Sequence, residues 1–208
     1  QAHRFLNRLS QYLRLLPEEL AISGVVLLHD HPVKYGGFSN IYHGKYTDAA
    51  GEEVEVALKV LKIFADQSDE HRHILHNKFS KEALVWYYLR HENIVPFLGI
   101  DSTTFPSPAR AMVSPWMPSG SVLTYMQEHS PSSSYALDML CDVINGLKYL
   151  FSKNIVHGDL CGRNILIDNK RRACLTDFGL ARMTLQVIYP RWLDMMDGSR
   201  AAQSWRTF

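Results

Sequence analysis

Apolar positions change period along the chain, and the changes divide it into elements. Between Phe5 and Leu16, the residues Leu6, Leu9, Leu13 and Leu16 recur at three- and four-residue steps, predicting an amphipathic helix that Pro17 ends. Strand-like runs follow from Val25 to Leu28 and from Ile41 to Lys45. The turn-prone Tyr35, Gly36, Gly37, Phe38, Ser39 and Asn40 between them predict a hairpin with a glycine tip. The next run alternates strictly, with Val54, Val56, Leu58 and Val60 on one strand face and Glu55, Ala57, Lys59 and Leu61 on the other. A helical stripe then joins Leu75, Phe79, Trp86 and Leu89, and it includes Glu82, a carboxylate where hydrophobes point.

Two more strands are expected near Val95 to Ile100 and Ala111 to Ser114, before Pro118, Ser119 and Gly120 mark a connector. Beyond it come a short helix from Val122 to Gln127 and a serine-rich cap from Ser130 to Ser134. A long helix with Leu137, Leu140, Ile144, Leu147 and Leu150 in register then leads into the loop at His157. A strand-rich part with one helix, followed by a helical part, gives an α+β chain of two packed lobes with a cleft between them.

Composition narrows the function. With 208 residues and 46% hydrophobic content the chain can bury a core without disulfides. Its 22 basic and 21 acidic residues are interspersed, for a net charge of +1, so no polyanion-binding patch is present and nucleic acid is not expected as a partner. Cys141, Cys161 and Cys174 lack paired spacing and read as free thiols of a reducing compartment. The longest apolar run, Val25 to Leu28, is too short to cross a bilayer or to serve as a signal segment, so a soluble cytoplasmic protein with no membrane partner is expected. His71, His73 and His76 precede a helix in a charged loop without a second ligand cluster, and a metal reading of them is rejected.

Three groups of residues carry chemistry. A strand lysine is ordinarily a solvated edge residue, but Lys59 shares a face with small Ala57. Glu82 lies in an apolar stripe, where an unpaired carboxylate is costly. Pairing Lys59 with Glu82 accounts for both and would aim the ammonium at a polyphosphate. Gly36 and Gly37 serve a turn first; their bare backbone could also approach phosphate oxygens, with Phe38 over the cleft. Asp159, Asn164 and Asp177 supply oxygen donors on loops after strand-like segments, a set that suits Mg²⁺.

Over residues 33 to 182 these features together resemble the eukaryotic protein kinase family. Tyr35 to Gly44 resembles its glycine-rich loop, Val56-Ala57-Leu58-Lys59 its lysine strand, and Glu82 the partner glutamate. Arg90 to Gly99 resembles the entry to its fourth strand, His157 to Asn164 its catalytic loop, and Asp177-Phe178-Gly179 its metal-binding motif. Trp116 to Val122 and Asp177 to Arg182 resemble the tyrosine-kinase-like group, with a lead-in from Leu16 to Phe38 similar to that of basidiomycete kinases.

The resemblance implies an ATP-dependent, Mg²⁺-dependent kinase acting on a protein Ser or Thr hydroxyl, and less so on Tyr. Asp159 would be the base, with Lys59 and Glu82 beside it. Gly36, Gly37, Phe38, Ser39, Ala57, Lys59, Ser114 and Met117 would bind the nucleotide, and Asn164 and Asp177 the metal. It also implies a division into a helix and lead-in (residues 1–32), an N-lobe and hinge (33–117) and part of a C-lobe (118–182). No resemblance is found for the tail (183–208), so the C-lobe is expected to be incomplete, a fragment whose exposed apolar surface would need a partner or chaperone.

Departures accompany the matches. Lys34 and Ser39 occupy the first and third glycine positions of the glycine-rich loop, Gly158 replaces the arginine that clamps a phosphorylated loop, and Arg163 resembles the tyrosine-kinase form. Two other readings stay open: a catalytically inert nucleotide-binding pseudokinase, and a small-molecule phosphotransferase of the aminoglycoside or choline kinase type, which His157-Gly158-Asp159 also resembles.

Overall fold

The computed structural model describes residues 16–183 apart from residues 38, 49 and 63–67, so Phe38, nearly all of the helix read before Pro17 and the tail beyond Met183 lie outside the described residues. A seven-stranded sheet forms the first lobe. Its strands are β1 (Ala21–Ile22), β2 (Val26–Leu27), β3 (Lys34–Tyr35), β4 (Ser39–Thr47), β5 (Glu53–Leu61), β6 (Gly99–Asp101) and β7 (Ala111–Pro115), in the order β1-β6-β7-β5-β4-β2 with β3 beside β4. All pairs are antiparallel except β1 with β6.

Strict alternation in β5 sorts its two faces. Val56, Leu58 and Val60 join Val25, Ala111 and Val113 in a buried outer cluster, which leaves Ala57 and Lys59 on the opposite, cleft-facing side. The glycine turn joins β3 to β4: Gly36 N–H donates to Ser39 O at 2.8 Å, and a Cβ on Gly36 would stand 2.7 Å from that same oxygen. The Val25 to Leu28 run yields only the two-residue β2, which pairs with the far end of β4 at Gly44 and Lys45.

One helix, α1 (Asp69–Tyr87), buries Leu75, Phe79, Glu82 and Trp86; Phe79 and Trp86 share a core cluster with Ile100 and Met112 of the sheet, and the Trp86 indole donates to Val95 O at 2.7 Å. Residues 71, 73 and 76 fall inside this helix rather than in a loop ahead of it, because α1 starts at Asp69. The stretch from Val95 to Leu98 is also not strand. Its Val95 N–H reaches Leu175 O at 2.9 Å and ties the turn after α1 to the second lobe.

The second lobe contains α2 (Val122–His129) and α3 (Ser133–Ser152), capped by Ser121 and Ser132, whose hydroxyls accept from the third amide onward. Short pairs follow: β8 (Ile155–Val156) with β11 (Arg182–Met183), and β9 (Ile165–Ile167) with β10 (Ala173–Leu175). The buried face of α3 takes in the end of the leucine stripe, with Leu150 buried and Leu147 packed against the core, but not its start. Met139, Gly146 and Leu150 turn inward, while Leu137 and Leu140 are 62% and 53% exposed. The helix is rotated toward its close approach at Gly146, where a Cβ would stand 2.9 Å from Asn93 O, and toward Asp142, which accepts from Ala173 N–H at 2.9 Å.

One core cluster runs through both lobes, from Leu20, Phe79 and Trp86 through Met112 to Met139, Leu150, Ile167, Leu175 and Phe178. At about 1.5–3 kcal/mol for each large apolar side chain buried, this continuous packing holds the two lobes together around the cleft. Among the described residues no helix is long and apolar enough to cross a membrane.

Candidate active site

Strand alternation brings Lys59 to the cleft face, and α1 brings Glu82 under it. Lys59 Nζ donates to Glu82 Oε1 at 2.7 Å and to Asp177 Oδ1 at 2.8 Å, so one ammonium joins sheet, helix and second lobe. The Lys59 and Glu82 side chains are 15% and 6% exposed, whereas Asp177 keeps 42% and opens to solvent. Burial alone would lower the Lys59 pKa. The charges of Glu82 and Asp177 outweigh it and hold the ammonium above its ordinary value. Burial likewise pushes Asp177 up, but the Lys59 charge and hydrogen bonds from Lys59 and the Gly179 backbone bring it below the usual carboxylate range. Glu82, set deeper, is pushed up by burial against the pull of Lys59.

Asp177 adopts φ +66°, a left-handed conformation that a non-glycine residue holds only when its surroundings over-determine it. Three neighbours do so. Lys59 grips the carboxylate, and Gly179 follows so closely that a Cβ there would stand 3.1 Å from Glu82 Oε2. Phe178 is fully buried between the rings of Trp86 and His157, at centroid distances of 6.1 and 5.2 Å.

The loop carrying Asp159 is tied to the same segment. His157 bonds Thr176 O through Nε2 at 2.9 Å, and its Nδ1 accepts from Asp159 N–H at 3.3 Å. Asn164 is buried and donates through Nδ2 to both the carbonyl oxygen (2.9 Å) and Oδ2 (3.0 Å) of Asp159, and Thr176 N–H donates to Asn164 O at 3.0 Å. Asp159, Asn164 and Asp177 thus sit on two loops clasped by hydrogen bonds, with Lys59 reaching in from the sheet. Along the connector, Ser114 is buried opposite Ala57, and the Met117 amide donates to none of the described residues.

The sequence match agrees with this arrangement. A model of the protein tyrosine and serine/threonine kinase family matches residues 28–205, most of the chain. This chain belongs to the protein kinase family. It shares the two-lobed kinase fold, and kinases of this family are transferases that use ATP, typically with Mg²⁺. The match extends past Arg182, where the motifs read from the residues end. A serine/threonine-protein kinase of Arabidopsis thaliana, STY46, is 34% identical over 160 residues, which cover 75% of this chain and 25% of the relative. The chain therefore spans a quarter of the length of that relative.

Of the residues singled out for this kinase site, Lys59, Glu82 and Asp177 are in direct contact, as are Asp159 and Asn164. Ala57 and Ser114 flank Lys59 on the sheet, Gly36 and Ser39 form the turn above, and Gly37 has open space around it. The motifs include His157 and Gly179 but not what they do here, the two-sided anchoring of His157 and the close approach of Gly179, and they do not include the Thr176 carbonyl. The signal for Gly179 was its place directly after Asp177 and Phe178. For the Thr176 carbonyl no sequence signal exists, since any residue supplies that oxygen.

Proposed function

We propose that this chain carries the nucleotide-binding and phosphoryl-transfer centre of an ATP-dependent protein kinase that modifies Ser or Thr hydroxyls. The observation that carries the reading is the single ammonium of Lys59 shared between buried Glu82 and half-exposed Asp177. An ion pair so placed offers a fixed positive charge to phosphate oxygens, and Asp177 keeps solvent access for a cation. The donor set fits Mg²⁺, since Asn164 and Asp177 offer an amide and a carboxylate oxygen and no thiolate.

Mg·ATP bound there would supply the transferable phosphoryl group and the divalent charge that offsets its oxygens. Lys59 would orient the phosphates, with Glu82 holding it in place. Asp159, fixed by Asn164 Nδ2, would align the acceptor hydroxyl and take its proton at the free carboxylate oxygen. The Met117 amide and the Ala57 and Ser114 row would hold the base. The name of the plant relative, a serine/threonine-protein kinase, supports Ser or Thr as acceptor over Tyr.

Thermal unfolding of the full chain with and without Mg·ATP, together with transfer from γ-labelled ATP to a protein mixture and to amino alcohols, tests the reading. Binding at a hundred times Kd would stabilise the fold by about 2.7 kcal/mol. Label on protein is expected; label on amino alcohols alone, or neither shift nor transfer, overturns it.

A further inference from the structure

The cleft face of the sheet carries a cluster that the phosphoryl-transfer centre does not use. His43 on β4 pairs with Ala57 on β5, and Ala57 pairs with Ser114 on β7, so the three form one row on the face that presents Lys59. Just past β7, the Trp116 amide donates to Glu55 O at 2.8 Å and keeps the connector alongside β5. The His43 ring stacks on the Trp116 indole, with centroids 4.0 Å apart and planes 19° from parallel. The Nε2 of His43 bonds Glu55 Oε2 at 2.9 Å, and the side chain is only 14% exposed. Lys45, which faces Glu55 across the strands, is engaged by Glu53 at 2.6 Å, leaving the Glu55 carboxylate to the imidazole.

We propose that His43 is a positioning residue for the nucleotide base: its stack on Trp116, steered by Glu55, fixes the connector against the sheet and sets the spacing between the Met117 amide and the Ala57–Ser114 row. This rests on the ATP reading above. The connector leaves the sheet at Pro115, and after that point its backbone is held at its start by Trp116 N–H on Glu55 O, within itself by Gly120 N–H on Met117 O at 3.0 Å, and at its end by Ile167 N–H on Gly120 O at 3.0 Å. Between those ends the Met117 amide has no backbone acceptor among the described residues, which leaves the Trp116–Met117 peptide freedom to rotate. A parallel ring stack removes that freedom, so the Met117 donor is presented in one orientation, and orientation rather than contact is what His43 supplies.

The test uses the full chain with His43→Ala, His43→Phe and Glu55→Gln. His43→Ala is expected to raise KM for ATP about fivefold with a smaller effect on kcat, and His43→Phe, which keeps a ring on the indole, to restore it. Without any nucleotide, hydrogen exchange of the Trp116 amide is expected to quicken about fivefold in His43→Ala, less in Glu55→Gln, and to return in His43→Phe. Unchanged exchange, or a KM that does not move while the wild-type chain binds ATP, overturns the proposal. A wild-type chain that binds no nucleotide removes the ATP reading and, with it, the role at the base; the exchange result then decides whether His43 anchors the connector.

Discussion

The amide of Asp159 donates to Nδ1 of His157 at 3.3 Å, while Nε2 of the same ring is 2.9 Å from Thr176 O. The two bonds together require a neutral imidazole with its proton on Nε2. Burial lowers the pKa of His157, and the Thr176 carbonyl only partly offsets this. The unfolded chain therefore binds a proton that the folded one refuses, and stability falls as pH drops below about 6.5. Urea unfolding at pH 7.5 and 5.5 is expected to show this loss, and the loss should shrink in His157→Phe. The two proteins differ at this one imidazole alone, so an equal pH slope would count against a buried neutral His157.

Lys59 is the counter-ion of a buried carboxylate. Replacing it with Met leaves Glu82 uncompensated, at a cost of about 3–5 kcal/mol, while Lys59→Met with Glu82→Gln should cost less than the sum of the single changes. The pH dependence has a definite sign. Burial already raises Glu82, and without Lys59 it rises further, so the single variant should regain stability as acid protonates that carboxyl. Chemical denaturation across pH 7.5 to 5 on the four proteins of the cycle measures both effects.

Gly146 separates packing from propensity. Alanine in a helix is ordinarily better than glycine by about 1 kcal/mol, yet here a Cβ would stand 2.9 Å from Asn93 O and 3.1 Å from Leu175 Cδ1. Backbone on one side and a fully buried leucine on the other cannot both yield, so Gly146→Ala should destabilise by about 1–3 kcal/mol. Asn145→Ala, one residue away on the exposed face, should stay within about 0.5 kcal/mol. A stabilised Gly146→Ala would show that α3 does not seat on the Asn93 turn.

Much of this was legible in residue patterns, for definite reasons. Alternation in β5 gave both faces of the sheet, because one of them is fully buried and a one-residue slip would expose it. Glu82 betrayed its partner because a lone carboxylate among Phe79 and Trp86 has no other stable arrangement. The face of α3 was legible only in part: Leu147 and Leu150 of the stripe do pack inward, but Leu137 and Leu140 outweigh Met139 and Gly146 in hydrophobicity, and only the tertiary approach at Asn93 selects the second pair. The stack of His43 on Trp116 was hidden for a related reason, since residues 73 positions apart meet only once β4, β5 and β7 are aligned.

Asp159 offers the sharpest separation of binding from turnover. Its Oδ2 accepts from Asn164 Nδ2 at 3.0 Å, and an asparagine amide oxygen can take over that bond without a change of shape. What Asp159→Asn loses is the second oxygen's ability to take a proton. Turnover is expected to fall by about 10²–10⁴-fold. The thermal shift with Mg·ATP should persist, because Lys59, Glu82 and Asp177 remain in place. Calorimetry of nucleotide binding beside a phosphotransfer assay reads the two separately. Equal loss of both would mean that Asp159 holds the site together, and full turnover would mean that it is not the base.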